Sequence, residues 1–242
     1  MVNLLLVSHS RQLAESVREL ALQMAPEAHI SVAAGIDDPD NPIGTDAVAV
    51  MEAIETNAQT EDGIVILVDL GSAILSTQTA LALVSPELAE KVTISPAPFV
   101  EGTIAAAVSA ISGANREQIL TESLSVLRAK ESALGTSADA HHAISDNTAN
   151  AKHKLTITVE NKQGIHARPA AKIAAKLSKF SSDLTLTNHR SEESANPKTL
   201  GGITQLNIQC GDMLTLSAEG TDAQDALETF QKMAKEHFGD KA

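Results

Sequence analysis

Ile64-Val65-Ile66-Leu67-Val68-Asp69-Leu70-Gly71-Ser72-Ala73 is five apolar residues, an aspartate and a short turn into a helical pattern. A strand with no polar face is covered on both faces, which marks the interior of a parallel sheet. A similar run, Asn3-Leu4-Leu5-Leu6-Val7, opens the chain and leads into Ser8-His9-Ser10. From Ser10 onward Leu13, Val17, Leu20, Ala21 and Met24 recur at helical spacing, with Ser10 as N-cap and Pro26 at the exit. A weaker strand follows at Ile30–Ala33, and Thr45 is placed to cap a helix carrying Val48, Met51, Ala53 and Ile54. Helices over Ala73–Val84, Glu101–Ile111 and Glu117–Ala133, with a strand at Val92–Ser95, complete the alternation. Residues 1–132 are therefore expected to form an α/β domain: an open, mostly parallel sheet with helices on both faces.

The second half follows another rule. Leu155-Thr156-Ile157-Thr158-Val159 alternates with period two, so one face is buried and the other is not. A helix is expected from Ala167 to about Lys179, strands at Leu184–Thr187 and Met213–Ala218, and a turn or edge strand at Ser191–Asn196. A short helix near Thr199–Leu206 and a final helix over Ala223–Phe238 complete a βαββαβα order. That order predicts an α+β domain over 153–242, with an antiparallel sheet and helices on one side. The small and polar residues of 133–152 read as a flexible linker, in which His141 and His142 are solvated rather than metal-binding.

Charge divides the chain at the same place. Residues 1–130 carry 6 Lys/Arg against 17 Asp/Glu, whereas residues 153–242 carry 11 of each. The net charge of −13, with no Trp or Tyr and four Phe, argues against nucleic acid and anionic membranes as partners. Cys210 is the only cysteine, which excludes an internal disulfide and a cysteine zinc site. No run approaches the ~20 apolar residues of a membrane span, and the N-terminus lacks a signal-peptide pattern. A cytoplasmic protein without metal or cofactor is expected, and no Gly-x-x-x-x-Gly-Lys-Ser/Thr loop is present to hold ATP.

Two histidines carry the candidate chemistry. In open α/β sheets, sites form beyond the carboxyl ends of strands where the strand order switches. With a strand order of 2-1-3-4, His9 and Asp69 face each other there. An aspartate on one ring nitrogen sets the tautomer and leaves the other free to attack phosphorus. Gly71 and Ser72 open the next helix and offer backbone N–H groups to a phosphate. The second histidine lies in Gly164-Ile165-His166-Ala167-Arg168-Pro169-Ala170. Gly164 bends the chain and Pro169 suits a first helical turn, where a missing N–H costs nothing. Free N–H groups favour an anion there, and Arg168 adds paired donors to phosphate oxygens. Ala170, Ile173, Ala174, Leu177 and Phe180 form the apolar stripe of this helix, while Arg168, Lys172, Lys176 and Lys179 make a basic face. A histidine in this setting fits a reversible phosphoryl carrier. His29, His153, His189 and His237 have no motif around them.

The run at 164–170 resembles the phosphorylation site of HPr, the small histidine phosphocarrier of the bacterial sugar phosphotransferase system, over about residues 153–240. This likeness implies an open-faced βαββαβα sandwich, phosphorylation of His166 at Nδ1, and Arg168 as the residue that stabilises the phosphate. Lys198 is followed by Thr199, where kinase-regulated HPr proteins carry serine; helix N-cap is the role expected of Thr199. Gly201-Gly202 is unusual inside a short helix.

Val7-Ser8-His9-Ser10, Asp69-Leu70-Gly71-Ser72-Ala73 and Pro96-Ala97-Pro98-Phe99-Val100-Glu101-Gly102 resemble the mannose-type EIIA domain over about residues 1–132. The version is that of the phosphotransferase subunit of the sugar-phosphotransferase-dependent dihydroxyacetone kinase. The EIIA-then-HPr order implies a phosphotransferase relay. Phospho-enzyme I, a separate chain, phosphorylates His166. His9 receives the phosphate directly or through another carrier. It passes it to ADP on the nucleotide-binding kinase subunit, which phosphorylates dihydroxyacetone on the dihydroxyacetone-binding subunit. The likeness also implies a homodimer through the N-terminal domain. Two alternatives are an EIIA–HPr component of a mannose-type sugar transporter, and a regulatory module whose phosphorylation state is read by a transcription factor.

The acidic first half and the basic His166 helix are expected to attract, steering His166 toward His9 while the linker raises their effective concentration. Raising the salt concentration should therefore slow His166-to-His9 transfer in a rapid-quench assay. A rate independent of salt overturns the steering.

Overall fold

An all-apolar strand needs cover on each face. The computed structural model, which describes residues 1–57, 60–133 and 153–239, supplies it by alternating strands and helices. The first part of the chain runs β1 (Asn3–Ser8), α1 (Arg11–Met24), β2 (Ile30–Ala34), α2 (Ala47–Asn57), β3 (Ile64–Val68), α3 (Gly71–Leu83), a short α4 (Pro86–Ala89), β4 (Val92–Ser95), α5 (Phe99–Ile111) and α6 (Arg116–Ala133). The strands pair in parallel in the order β2-β1-β3-β4. β1 and β3 are thus neighbours, with Val7 opposite Val68.

Leu5, Val7, Ile64, Ile66 and Val68 share a core with Val50 and Ile54 of α2 and Ala73 and Ala80 of α3. Leu4, Leu6, Val65 and Leu67 alternate with them and are just as fully buried. Helices α1 and α5 contact each other and β1. Helix α1 is capped by the Ser10 hydroxyl, which accepts from the Leu13 N–H at 3.2 Å. Its buried residues are Ala14, Val17 and Ala21, so Leu13 and Leu20, one position off this stripe, stay exposed. Thr45 does not cap α2. The Asp46 carboxylate accepts from the Val48 N–H at 2.8 Å, and the Thr45 hydroxyl pairs with Ser76 of α3 at 2.7 Å. An anionic cap is favoured at a helix N-terminus, which explains the change of partner.

The second part runs β5 (His153–Thr158), α7 (Ala167–Leu177), β6 (Asp183–Asn188), β7 (Glu193–Ala195), α8 (Leu200–Gln205), β8 (Met213–Glu219) and α9 (Ala223–Lys235), followed by a 3-10 turn at His237–Gly239. Its sheet is antiparallel, in the order β5-β8-β6-β7. Leu184, Leu186, Leu214 and Leu216 are buried, as are Ile173, Leu177 and Phe230 from the helices. Thr156 bonds Thr215 and Thr187 bonds Ser194, each at 2.8 Å, among the residues that alternate with the buried leucines. The last helix stops at Lys235 rather than continuing to Phe238. His237 and Phe238 take positive φ, and the turn folds Phe238 onto Phe230 with ring centroids 5.6 Å apart.

The chain divides into two compact units, Met1–Val126 and Leu127–Ala242, the cut falling inside α6. The linker expected over 133–152, with His141 and His142, lies outside the described residues except for Ala133. None of the described helices is long and apolar enough to cross a membrane.

The glycine pair in α8 has a steric cause at Gly202. A Cβ there would lie 2.2 Å from the Asn196 carbonyl oxygen and 2.8 Å from the Thr199 hydroxyl that caps the helix. Gly202→Ala should therefore cost about 1–3 kcal/mol. Thermal unfolding followed by amide signals of the second unit checks it: those signals should be lost at lower temperature, while the first unit's are unchanged.

Candidate functional site

Each unit presents one of the two candidate histidines at the end of an element. In the first unit, β1 ends at Ser8 and β3 at Val68, so the next residues, His9 and Asp69, emerge side by side. The ring nitrogen His9 Nδ1 lies 2.9 Å from Asp69 Oδ1. Asp69 Oδ2 accepts from the His9 backbone N–H at 2.9 Å and from the Ser8 hydroxyl at 2.8 Å, and Oδ1 also accepts from the Leu70 N–H at 2.6 Å. The carboxylate is 8% exposed and the His9 ring 18%. Burial pushes the Asp69 carboxyl up, but the donors from His9, Ser8 and Leu70 outweigh it and hold the group below the usual range.

An ionised carboxylate only accepts hydrogen bonds, so Asp69 requires a proton on His9 Nδ1. In the neutral ring the lone pair then belongs to Nε2, which contacts the Ser72 hydroxyl. Ser72 and Gly71 are exposed at the first turn of α3, and no side chain caps this helix. A Cβ at Gly71 would meet nothing within 4 Å, so the space in front of this turn is open. Uncapped N–H groups at a helix start suit an anion. The structure thus brings His9, Asp69 and Ser72 together, with Gly71 beside them.

Ser8 was not among the residues singled out from sequence. It is fully buried, and its hydroxyl accepts from the Ser10 N–H at 3.1 Å while donating to Asp69. The available signal was a polar residue closing an apolar strand immediately before the histidine.

In the second unit, His166 is the N-cap residue of α7, with extended backbone and no capping bond from its ring. The ring is exposed, and Arg168 is exposed in the same first turn. Pro169 is the third residue of the helix, where no backbone donor is required. Ala170, Ile173, Ala174 and Leu177 are buried as the stripe predicts, while Phe180 beyond the helix is half-buried. Lys172, on the basic face, donates to the Gly239 carbonyl at 3.0 Å. Gly164 has φ +67°, and a Cβ there would lie 2.1 Å from the Ile208 carbonyl oxygen. The Ile165 N–H donates to that same oxygen at 3.0 Å. Among the described residues, no cluster of His, Cys, Asp and Glu is arranged to hold a metal ion.

The Asp69 contacts have a measurable consequence. Nitrogen-15 NMR of the first unit's signals should show His9 protonated at Nδ1 when neutral, and Asp69→Ala should remove that preference. A folded pKa below the unfolded one contributes stability that is present above the unfolded value and lost as pH falls through the folded value. The stability gap between wild type and Asp69→Ala should therefore narrow as pH falls below about 4. A gap that does not narrow below about pH 4 overturns this account of the carboxylate.

Comparison with known proteins agrees with the two-part architecture. The family model for the EIIA-man domain (PTS system fructose IIA component) matches residues 3–120, and that for PTS-HPr (PTS HPr component phosphorylation site) matches residues 153–236. The chain is 45% identical over 244 residues to the PEP-dependent dihydroxyacetone kinase, phosphoryl donor subunit DhaM of Pantoea ananatis, covering 99% of this chain and 51% of that one. It is 41% identical over 123 residues to the PEP-dependent dihydroxyacetone kinase 2, phosphoryl donor subunit DhaM of Listeria innocua, covering 50% of this chain and 96% of that one. Its second part is 37% identical over 84 residues to the phosphocarrier protein HPr of Mycoplasma pneumoniae, covering 35% of this chain and 94% of that one. The chain thus spans about half the length of the first curated relatives it matches. The near-complete coverage of the Listeria subunit by the first part, and of HPr by the second, shows that this chain belongs to the family of phosphoryl donor subunits of PEP-dependent dihydroxyacetone kinase, with an EIIA-man region followed by an HPr region.

Proposed function

We propose that this chain is a phosphohistidine relay serving a dihydroxyacetone kinase. Its two carriers are His166 and His9, in domains spanning 153–242 and 1–132 and joined by the 133–152 linker. The observation that carries the reading is the His9–Asp69 pair at the tips of two adjacent parallel strands, with Nε2 facing outward beside Ser72.

Phospho-enzyme I supplies the phosphoryl group to His166. Nδ1 of His166 attacks phosphorus as the donor's P–N bond breaks, and Arg168 and the first-turn N–H groups of α7 receive the phosphate oxygens. The group then moves to His9, directly or by way of another carrier. His9 Nε2 forms the new P–N bond while Asp69 holds the Nδ1 proton and stabilises the positive charge that develops on the ring. Ser72 and the N-terminus of α3 receive the oxygens. In the last step the β-phosphate of ADP on the nucleotide-binding kinase subunit attacks phosphorus and the His9 ring leaves neutral. The ATP so formed phosphorylates dihydroxyacetone on the dihydroxyacetone-binding subunit. The chain works as a phosphotransferase in the cytoplasm and dimerises through its first domain.

Labelled phosphoenolpyruvate and enzyme I test the order of transfer. His9→Ala should still take label at His166. His166→Ala should take little label unless separate HPr is added. Label on His9 with neither His166 nor HPr available overturns the order. Adding the kinase subunits with ADP should drain label from the wild-type chain into dihydroxyacetone phosphate; drainage only by a sugar-transporter domain overturns the choice of acceptor.

A further inference from the structure

The second unit contains a buried carboxylate, paired with an exposed arginine, that the relay does not use. Asp212 is 5% exposed, in the loop before β8. Its Oδ1 accepts from Arg190 Nε at 2.7 Å, and its Oδ2 accepts from Asn188 Nδ2 and from the Gln209 backbone N–H, each at 2.9 Å. The same two partners hold the loop a second time. Arg190 Nη2 donates to the Asn207 carbonyl at 2.6 Å, and Asn188 Nδ2 donates to the Leu206 carbonyl at 3.1 Å. Burial pushes the Asp212 carboxyl up, but Arg190, Gln209 and Asn188 hold it below its usual range, so it stays charged. Residues 206–212 are therefore fastened to the end of β6 by the Asp212 carboxylate and by the Leu206 and Asn207 carbonyls, all on the same two side chains.

The other edge of that loop faces the segment leading into His166. The Gly211 N–H donates to the Val159 carbonyl at 2.8 Å, and the Val159 N–H donates to the Asp212 carbonyl at 2.9 Å. The Ile165 N–H donates to the Ile208 carbonyl at 3.0 Å, one residue before His166. Gly164 passes so close to Ile208 that no Cβ fits between them. The 206–212 loop is the wall against which residues 159–165 are laid. A displacement of Ile208 is transmitted to Ile165 and hence to the N-cap residue.

We propose that Asp212, through Arg190 and Asn188, is a positioning residue for His166: it fixes the 206–212 loop whose Ile208 carbonyl sets the backbone from which the histidine projects. It touches neither the ring nor the phosphate. The inference rests on His166 as phosphoryl acceptor. Phosphoryl transfer between rings depends on alignment more than on covalent help, so a small displacement of His166 lowers the rate of the step more than the affinity for the donor.

The test uses the full chain with enzyme I and labelled phosphoenolpyruvate, and measures labelling of His166 as kcat and KM for the wild type and Asp212→Asn. Asparagine keeps the shape but replaces one acceptor oxygen with a donor that confronts the donors of Arg190 or Asn188. The expected result is a kcat lower by about ten-fold or more, with KM for enzyme I little changed. In the same variant the Ile165 amide should exchange with deuterium faster, while the Leu216 amide in β8 stays protected. A folded Asp212→Asn chain with wild-type kcat and wild-type Ile165 protection overturns the proposal. Loss of KM alone, or loss of Leu216 protection at equal rate, also overturns it, since a docking defect or a general loosening then accounts for the result. If Asp212→Asn does not fold, Arg190→Lys decides by the same readouts, because lysine keeps the charge but not the second donor to Asn207. A wild-type chain that takes no label at His166 sinks the relay reading instead, and Ile165 exchange in the variants still decides whether Asp212 holds the loop.

Discussion

The parallel pairing of β1 with β3 is the constraint on which the first unit's chemistry depends. His9 and Asp69 are 60 residues apart in sequence, and neither belongs to a motif containing the other. They meet because Val7 is opposite Val68 and both strands stop within a residue of each other. All five residues of β3 are apolar and buried, and a slip of the strand would draw Gly63 or Asp69 into the buried run, which disfavours it. The geometry of the histidine is thus held by hydrophobic burial at a distance from it, and the hydrogen bonds to Asp69 refine what burial has already placed.

The second unit holds its histidine by different means. His166 stands at the start of a helix, with no capping bond from its ring. The chain reaches it through Gly164 in a left-handed conformation, pressed against the Ile208 carbonyl. Left-handed backbone and a missing side chain cost stability, which the buried stripe of Ala170, Ile173, Ala174 and Leu177 offsets. One unit sets its imidazole beside a carboxylate, and in the other the backbone shape sets where the histidine projects. The difference follows from position. A crevice between strand ends can bury a carboxylate, whereas a helix start exposes its first residues on several sides.

Much of this was legible in the sequence where the information is local. The apolar strands, the Ser10 cap, the stripe of α7 and the run from Gly164 to Ala170 are each contained in a short window, and periodicity or residue type reads them directly. The strand order can only be supposed from sequence; under that supposition a general rule about sites in α/β sheets places His9 and Asp69 together, and the observed order agrees with it. The features that escaped are those in which distant residues compete for one partner. Asp46 caps the helix in place of Thr45, whose hydroxyl engages Ser76, a partner 31 residues away that no local window reveals. Ser8 gains its role from a carboxylate 61 residues away, and Asp212 from Arg190 and Asn188 at the end of another strand. The stop of α9 before Phe238 depends on Phe230 offering a place for the ring to fold back.

A carrier that both receives and gives must use one nitrogen for two partners, and in-line displacement demands that this nitrogen approach phosphorus along a single direction. Anchoring one edge of the ring and leaving the other open satisfies both demands. At His9 the anchored edge is Nδ1, and the hydrogen bonds that hold the Asp69 carboxyl below its usual range keep it an acceptor for that edge. Under the proposed relay, a carboxylate raised toward the basicity of the ring would compete for the Nδ1 proton, and a ring that lost it would have to leave as an imidazolate when the phosphate moves on. A strongly hydrogen-bonded, weakly basic carboxylate leaves the proton on Nδ1. In that proposed relay the ring then departs as neutral imidazole, and His9 returns to the tautomer in which Nε2 is again the nucleophile. The Ser8 hydroxyl and the His9 and Leu70 N–H groups hold Asp69 as an acceptor, and under the proposed relay they support the ring from the buried side of the site.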